Sequence, residues 1–273
     1  MTTIRSSPPR APIVGVFDAG IGGLPLAAAI KRARPDVGIV YLADSARRPY
    51  GPQPQQAIRR YMGEVGEFFD RAGTDLWAVA CNTASVAVQD MPVGRAMRID
   101  MVQAVRRAAM SVSRSRIGLL ATASTVASGV LVDALPDFDV TQVATEELLR
   151  LAEVGSTDRA TIQRLTRAAI DELRENDCEA AILACTDFTA ILPTMAEIST
   201  SMTLVDPLHA ALDLVLEAIA KPGETPPADG THAVDRLCLT GPHPVDVPEY
   251  ARDELVFALP HPEIVTMPQP SRH

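Results

Sequence analysis

Lysine is almost missing from this chain: of its 25 basic residues, only Lys31 and Lys221 are lysines. Neither closes an apolar run of the kind that ends a buried strand, so no lysine is placed to hold an aldehyde cofactor as a Schiff base. That argues against pyridoxal phosphate. Histidine is confined to the last quarter, at His209, His232, His243, His261 and His273, so acid-base chemistry in the first 208 residues falls to thiols and carboxylates. Also missing is an apolar run of about 20 residues, the length that crosses a bilayer. The longest stretch free of charge, Ile117 to Val132, has 16 residues and is broken by Thr, Ser and Gly, so no membrane span is expected. The opening MTTIRSSPPRAP has no apolar core of a secretory signal, which makes the cytoplasm the expected location. Four cysteines, Cys81, Cys178, Cys185 and Cys238, follow no C-x-x-C zinc or redox spacing, so free thiols and no metal site are expected. The net charge of −9 has the wrong sign for neutralising phosphates, which disfavours nucleic acid as the main partner.

What is present reads as a soluble globular protein. The 273 residues are 47% apolar and 22% charged, enough for two compact units or one large one. Apolar runs ending in small residues alternate with amphipathic stretches of helix length, the pattern of an α/β fold. The runs Ile13 to Phe17, Gly38 to Leu42, Trp77 to Ala80, Arg116 to Leu120, Ala180 to Ala184 and Met202 to Val205 predict parallel strands buried on both faces. Between them, Gln55 to Ala72 and Thr157 to Glu175 carry apolar residues at spacings of three and four, as surface helices do. Ala220 to Gly230, AKPGETPPADG, reads as a linker, and the Pro/His-rich tail after Leu259 as a frayed end.

The chain also repeats itself. VGVFDAGIGG (Val14 to Gly23) opens a unit that reaches AVACNTAS (Ala78 to Ser85), and IGLLATASTV (Ile117 to Val126) opens one that reaches AILACTDF (Ala181 to Phe188). Gly15 precedes Cys81 by 66 positions and Gly118 precedes Cys185 by 67. Open parallel sheets bind ligands at the carboxyl ends of their strands, so two such units face to face bring two cysteines to one cleft. Inverting a carbon centre needs such a pair, one group removing a proton from one face while another donates from the opposite face. Cys178 and Cys238 read instead as small core residues. A helix starting after Cys81 or Cys185 would lower the thiol pKa and offer N–H groups to a carboxylate. DAGIGG imitates a dinucleotide loop, but the third glycine place is Pro25 and Asp18 would repel a pyrophosphate, so NAD is not expected. Pro25 suits the first turn of a helix, and the glycines let the backbone approach a small ligand.

Taken in order, VGVFDAGIGGLPLAAAI, YLAD followed by RRPYGP, VACNTAS and ACTDF resemble the cofactor-independent glutamate racemases of the aspartate/glutamate racemase superfamily, and the likeness extends to RLCLTG near the C-terminus. The resemblance implies an α/β fold of two pseudo-symmetric domains with mainly parallel sheets and the active site in the cleft between them. The first domain would comprise residues 12–100 and 210–273, the second 101–209. It implies a cytoplasmic isomerase that needs no cofactor and racemises glutamate or a related carboxylate, providing a D-amino acid for cell-wall biogenesis, with a homodimer as the assembly to expect. Cys81 and Cys185 match the catalytic thiols, and Asp18 the acid of the first glycine loop. Substrate contacts are implied for Ala19, Pro49, Tyr50, Gly51, Asn82, Thr83, Thr125, Glu153, Thr186 and Asp187. Three places depart from the family pattern. Its D-S-G is Asp18-Ala19-Gly20 here, its C-T-H is Cys185-Thr186-Asp187, and its T-G-D is Thr240-Gly241-Pro242, the last read as drift at the periphery. Losing a hydroxyl and gaining a carboxylate should weaken glutamate binding. A carboxylate at Asp187 should also raise the Cys185 thiol and outweigh a helix N-terminus, favouring a reaction in which Cys81 is the base. A decarboxylase or isomerase of the same superfamily and a weakly active binding paralogue are the alternatives.

Overall fold

The computed structural model describes residues 11–112, 115–220, 235–241 and 263–267. Its strands are β1 (Ile13–Asp18), β2 (Gly38–Ala43), β3 (Leu76–Val79), β4 (Met97–Asp100), β5 (Arg116–Ala121), β6 (Asp139–Ala144), β7 (Ala180–Ala184), β8 (Thr203–Val205), β9 (Arg236–Leu239) and β10 (Glu263–Ile264). The helices are α1 (Leu24–Ala33), α2 (Gln55–Ala72), α3 (Asn82–Ala87), α4 (Met101–Ser111), α5 (Ala123–Ser128), α6 (Val130–Asp133), α7 (Glu146–Glu153), α8 (Arg159–Glu175), α9 (Leu192–Ala196) and α10 (Leu208–Ile219). Among the described residues, no helix is long and apolar enough to cross a membrane.

Every strand pairs in parallel, in two sheets of order β10-β9-β2-β1-β3-β4 and β6-β5-β7-β8. In each, the first strand of the repeat lies between its second and third, so β1/β3 and β5/β7 are the switch points at which such sheets bind ligands. Gly15 in β1 and Gly118 in β5 serve the same purpose. A Cβ on Gly15 would collide with Phe69 of α2, and one on Gly118 with Leu173 of α8, so each glycine lets the covering helix lie flat on its strand. Phe69 in turn stacks on Trp77 of β3, ring centroids 5.2 Å apart. Helix α4 joins the two sheets through two faces. Met101, Ala104 and Ala108 belong to the core of the first, and Val102, Val105 and Ala109 to that of the second. Asp100 starts this helix by accepting the N–H groups of Val102 and Gln103 through Oδ1.

The six expected strands and both amphipathic helices are present with ends shifted by one residue or none, apart from α8, which starts at Arg159 and so leaves Thr157 and its N-cap Asp158 outside the helix. Cys178 and Cys238 are buried in core clusters, and none of the four cysteines is bonded to another. Strands β4 and β6 escape sequence reading because they are sheet edges, where MRID and DVTQVA keep polar residues and partial exposure. The frayed tail needs correction at Glu263–Ile264, which pairs beside β9, while most of that tail and the linker after Ala220 lie outside the described residues.

Candidate active site

A cavity of about 430 Å³ opens where the carboxyl ends of the two sheets meet. From the first sheet, Asp18 ends β1 and Cys81 follows β3 as the N-cap residue of α3. From the second, Thr122 follows β5 as the N-cap of α5, and Cys185 follows β7 directly. Cys81 and Cys185 both line the cavity, as do Asp18, Ala19, Pro49, Tyr50, Gly51, Asn82, Thr83, Glu153, Thr186 and Asp187. Of the residues expected at the site, Thr125 alone stands back from it. It is buried one layer behind Thr122, whose hydroxyl donates to it over 2.9 Å, and Thr122 is the residue that faces the cavity beside Thr83, 3.2 Å away. Arg48, Glu146, Glu147 and Arg150 also line the cavity. Of these, only Arg48 sits in a quoted motif, RRPYGP, and the others lie on α7 without a local pattern to mark them.

Contacts across the cleft set its geometry. Asp18 accepts the Gly20 N–H at 2.7 Å through Oδ1 and the Thr186 hydroxyl at 2.9 Å through Oδ2. Gly22 is needed for that approach, since a Cβ there would lie 2.8 Å from Thr186 Oγ1 and 2.9 Å from Asp187 Oδ1. The loop glycines were expected to admit a ligand, but Gly22 admits the opposite wall of the protein. Pro25 lies in the first turn of α1, as its fixed φ suggests. Tyr50 donates to Asp44 at 2.5 Å, and the same carboxylate accepts the Thr240 hydroxyl at 2.6 Å. Thr240 and Gly241 therefore brace the cavity wall, whereas Pro242 lies outside the described residues. Arg48 gives Nε and Nη2 to Glu153 Oε1, at 3.0 and 2.7 Å.

The electrostatics follow the sequence expectation at Cys185 and depart from it at Cys81. Burial pushes the Cys81 thiol well above its ordinary range, and Asp18 adds to the shift. The N–H groups of Ala84 and Ala19 oppose it without reversing it. Cys185 is pushed up in the same way, by burial first and by Asp187 second, with Asp187 Oδ2 3.7 Å from Sγ. No α-helix follows Cys185, only a 3-10 turn, Thr186–Ala190, so the expected helix N-terminus is missing there. Both thiols therefore rest protonated, and the one-sided effect expected of Asp187 is matched by Asp18 on the other side. Asp187 itself is pushed up to about 7, by burial and then by the charges of Asp18 and Glu153. Asp18 is raised by burial, against its two hydrogen bonds.

Comparison with known proteins agrees with this architecture. A family model described as Asp/Glu/Hydantoin racemase matches residues 26–215. The chain is 31% identical to a glutamate racemase of Beutenbergia cavernae over 222 residues, 76% of this chain and 75% of that one. It is 31% identical to one of Mycobacterium ulcerans over 238 residues, covering 81% and 86%. Among solved structures it resembles glutamate racemase from Thermus thermophilus in complex with β-chloro-D-alanine, with 27% identity, a TM-score of 0.76 and coverage of 95% and 98%. It also resembles that of Bacillus anthracis, with 25% identity, a TM-score of 0.80 and coverage of 94% and 98%. Two matching parallel sheets with a cysteine at the switch point of each, a family model spanning most of the chain and relatives of this similarity lead to one conclusion: the chain belongs to the Asp/Glu/Hydantoin racemase family and is a racemase-type isomerase.

Proposed function

We propose that the protein inverts the α carbon of an amino acid, glutamate or a related carboxylate, using Cys81 and Cys185 as base and acid without a cofactor. The observation that carries this reading is the placement of both thiols at equivalent strand ends of two sheets that open into one cavity. The relatives named as glutamate racemases, and the solved complex of the Thermus thermophilus enzyme with β-chloro-D-alanine, support an amino acid as the ligand. In the forward direction one thiolate takes the α proton and becomes a thiol, leaving a carbanion. The other thiol gives its proton to the opposite face and becomes a thiolate. Atoms and charge balance, and the enzyme ends in the mirror-image protonation state. Because both thiols rest protonated, the base has to form as the ligand arrives, one thiol releasing its proton to solvent. The α-ammonium group adds its positive charge to that of Arg48, which eases the negative charge of a thiolate forming beside Asp18.

The test is α-proton exchange. In deuterated water, L- or D-glutamate should gain deuterium at the α position and lose optical activity, with no cofactor added. Cys81→Ser and Cys185→Ser should each abolish racemisation from at least one enantiomer, a loss of about 10²–10⁴-fold for removing one acid-base group. A single-cysteine variant racemising both enantiomers at full rate would refute the two-thiol mechanism.

A further inference from the structure

The cavity has a floor and a mouth of different chemistry. At the floor, Asn82 is 3% exposed, and neither its Nδ2 nor its Oδ1 has a partner. A buried amide left open in this way is a place for a ligand group, and its N–H donors suit a carboxylate. At the mouth stand Arg48 and Glu153, their side chains 27% and 26% exposed. Arg48 spends two donors on the single oxygen Oε1 of Glu153. Its Nη1 has no hydrogen bond to a described residue and lies 3.6 Å from where a Cβ on Gly20 would sit, beside the apolar Ala19.

An amino acid held by its α-carboxylate at the floor, with its reacting carbon between the thiols, must send its side chain toward this mouth. A second carboxylate on that side chain would meet Asp18, Glu146, Glu147, Glu153 and Asp187, all of which line the cavity, and would be repelled everywhere except at a guanidinium. Arg48 offers the planar two-donor edge that a carboxylate fits, and Glu153 already occupies that edge as a carboxylate would. We infer that Arg48 is the specificity-determining residue for an acidic substrate, and that Glu153 holds its place until the distal carboxylate of the ligand displaces it. Arg150, one turn earlier on α7 and also lining the cavity, is the cation within reach of the displaced Glu153. The inference rests on the amino-acid reading of the site given above.

The test separates charge from shape by using D-glutamate and D-glutamine, which differ in the distal group alone. Their binding is measured by titration calorimetry on the full-length protein. The wild type should prefer glutamate. Arg48→Gln should weaken glutamate about ten- to hundredfold, the usual range for losing a hydrogen bond to a charged group, while glutamine binding should change little, so the preference disappears. Glu153→Gln should act in the opposite sense and tighten glutamate binding severalfold, because the competitor has lost its charge. Arg48→Lys, with thermal unfolding as the check on folding, should keep part of the preference and covers the case in which Arg48→Gln does not fold. A wild type with no preference or no binding overturns the inference. So does an Arg48→Gln protein that still prefers glutamate, or a Glu153→Gln protein that binds it as poorly as Arg48→Gln does. Deuterium exchange distinguishes this from failure of the underlying reading. Arg48-dependent glutamate binding without α-exchange sinks the racemase mechanism alone, and exchange with an unchanged preference in Arg48→Gln sinks the Arg48 assignment alone.

Discussion

Cys81 and Cys185 stand at equivalent strand ends, yet their carboxylate neighbours reach them by different routes. With Gly15 set against Gly118, Asp18 falls opposite Ala121, so the second half has no acid at the end of its first strand. It supplies one from Asp187, two residues past the thiol. Asp18 is fixed by a backbone N–H and by a hydroxyl from the other side of the cleft. The one hydrogen bond described for the Asp187 side chain is that with the Cys185 thiol, at 3.7 Å. One thiol thus sits beside a carboxylate held by the fold and the other beside a carboxyl group free to titrate, and the difference shows that an internal repeat can conserve the position of a charge without conserving its origin.

Joining the halves is where the comparison can be broken most severely. Gly22→Ala would push a methyl into Thr186 and Asp187 and separate Asp18 from its partner across the cleft. Turnover should fall on the order of 100-fold, the size associated with displacing reacting groups by about 1 Å, while the far-ultraviolet circular dichroism stays native. An alanine variant with unchanged turnover would show that the halves do not depend on that contact.

Asp187→Asn sharpens the contrast between the two thiols. Because burial raises Asp187 to about 7, the folded protein keeps a proton between roughly pH 4 and 7 that the unfolded chain has released. The folded state is therefore favoured least above pH 7, and stability declines as pH rises through that window. The variant should lose this part of the decline, measured as the difference in Tm between the two proteins at pH 5 and pH 8. In the same variant Cys185 should react with iodoacetamide at lower pH than before, while Cys81, which feels Asp187 only weakly, should shift less. Equal shifts at both thiols would mean that the two carboxylates act as one group.

The smallest effect concerns the paired glycines. Gly15→Ala and Gly118→Ala both overpack a strand against its helix, which costs about 1–3 kcal/mol. Gly15→Ala should be the worse of the two in urea unfolding. Its methyl meets the Phe69 ring, already stacked on Trp77, whereas the one on Gly118 meets the flexible end of Leu173. The reverse order would mean that the second helix is seated more rigidly than the first.

The α/β alternation, six of the ten described strands and the two thiols at strand ends were legible in the amino-acid order alone, because a strand buried on both faces must be a nearly continuous apolar run that stops where solvent or ligand begins. It also carried the family resemblance, through short motifs at the same strand ends. Edge strands such as β6 stayed hidden because partial exposure relaxes the requirement that made the central ones visible. It took the folded arrangement to show that Thr122 and not Thr125 faces the cavity, that Gly22 makes room for Thr186, and that Arg48 meets Glu153 from 105 positions away. Those facts depend on how two independently formed sheets are set against each other and on how far each side chain reaches. Burial also decided the charge state of the thiols. A local pattern predicts which N–H groups a thiol will meet, but desolvation depends on everything packed around it, and here it outweighed them.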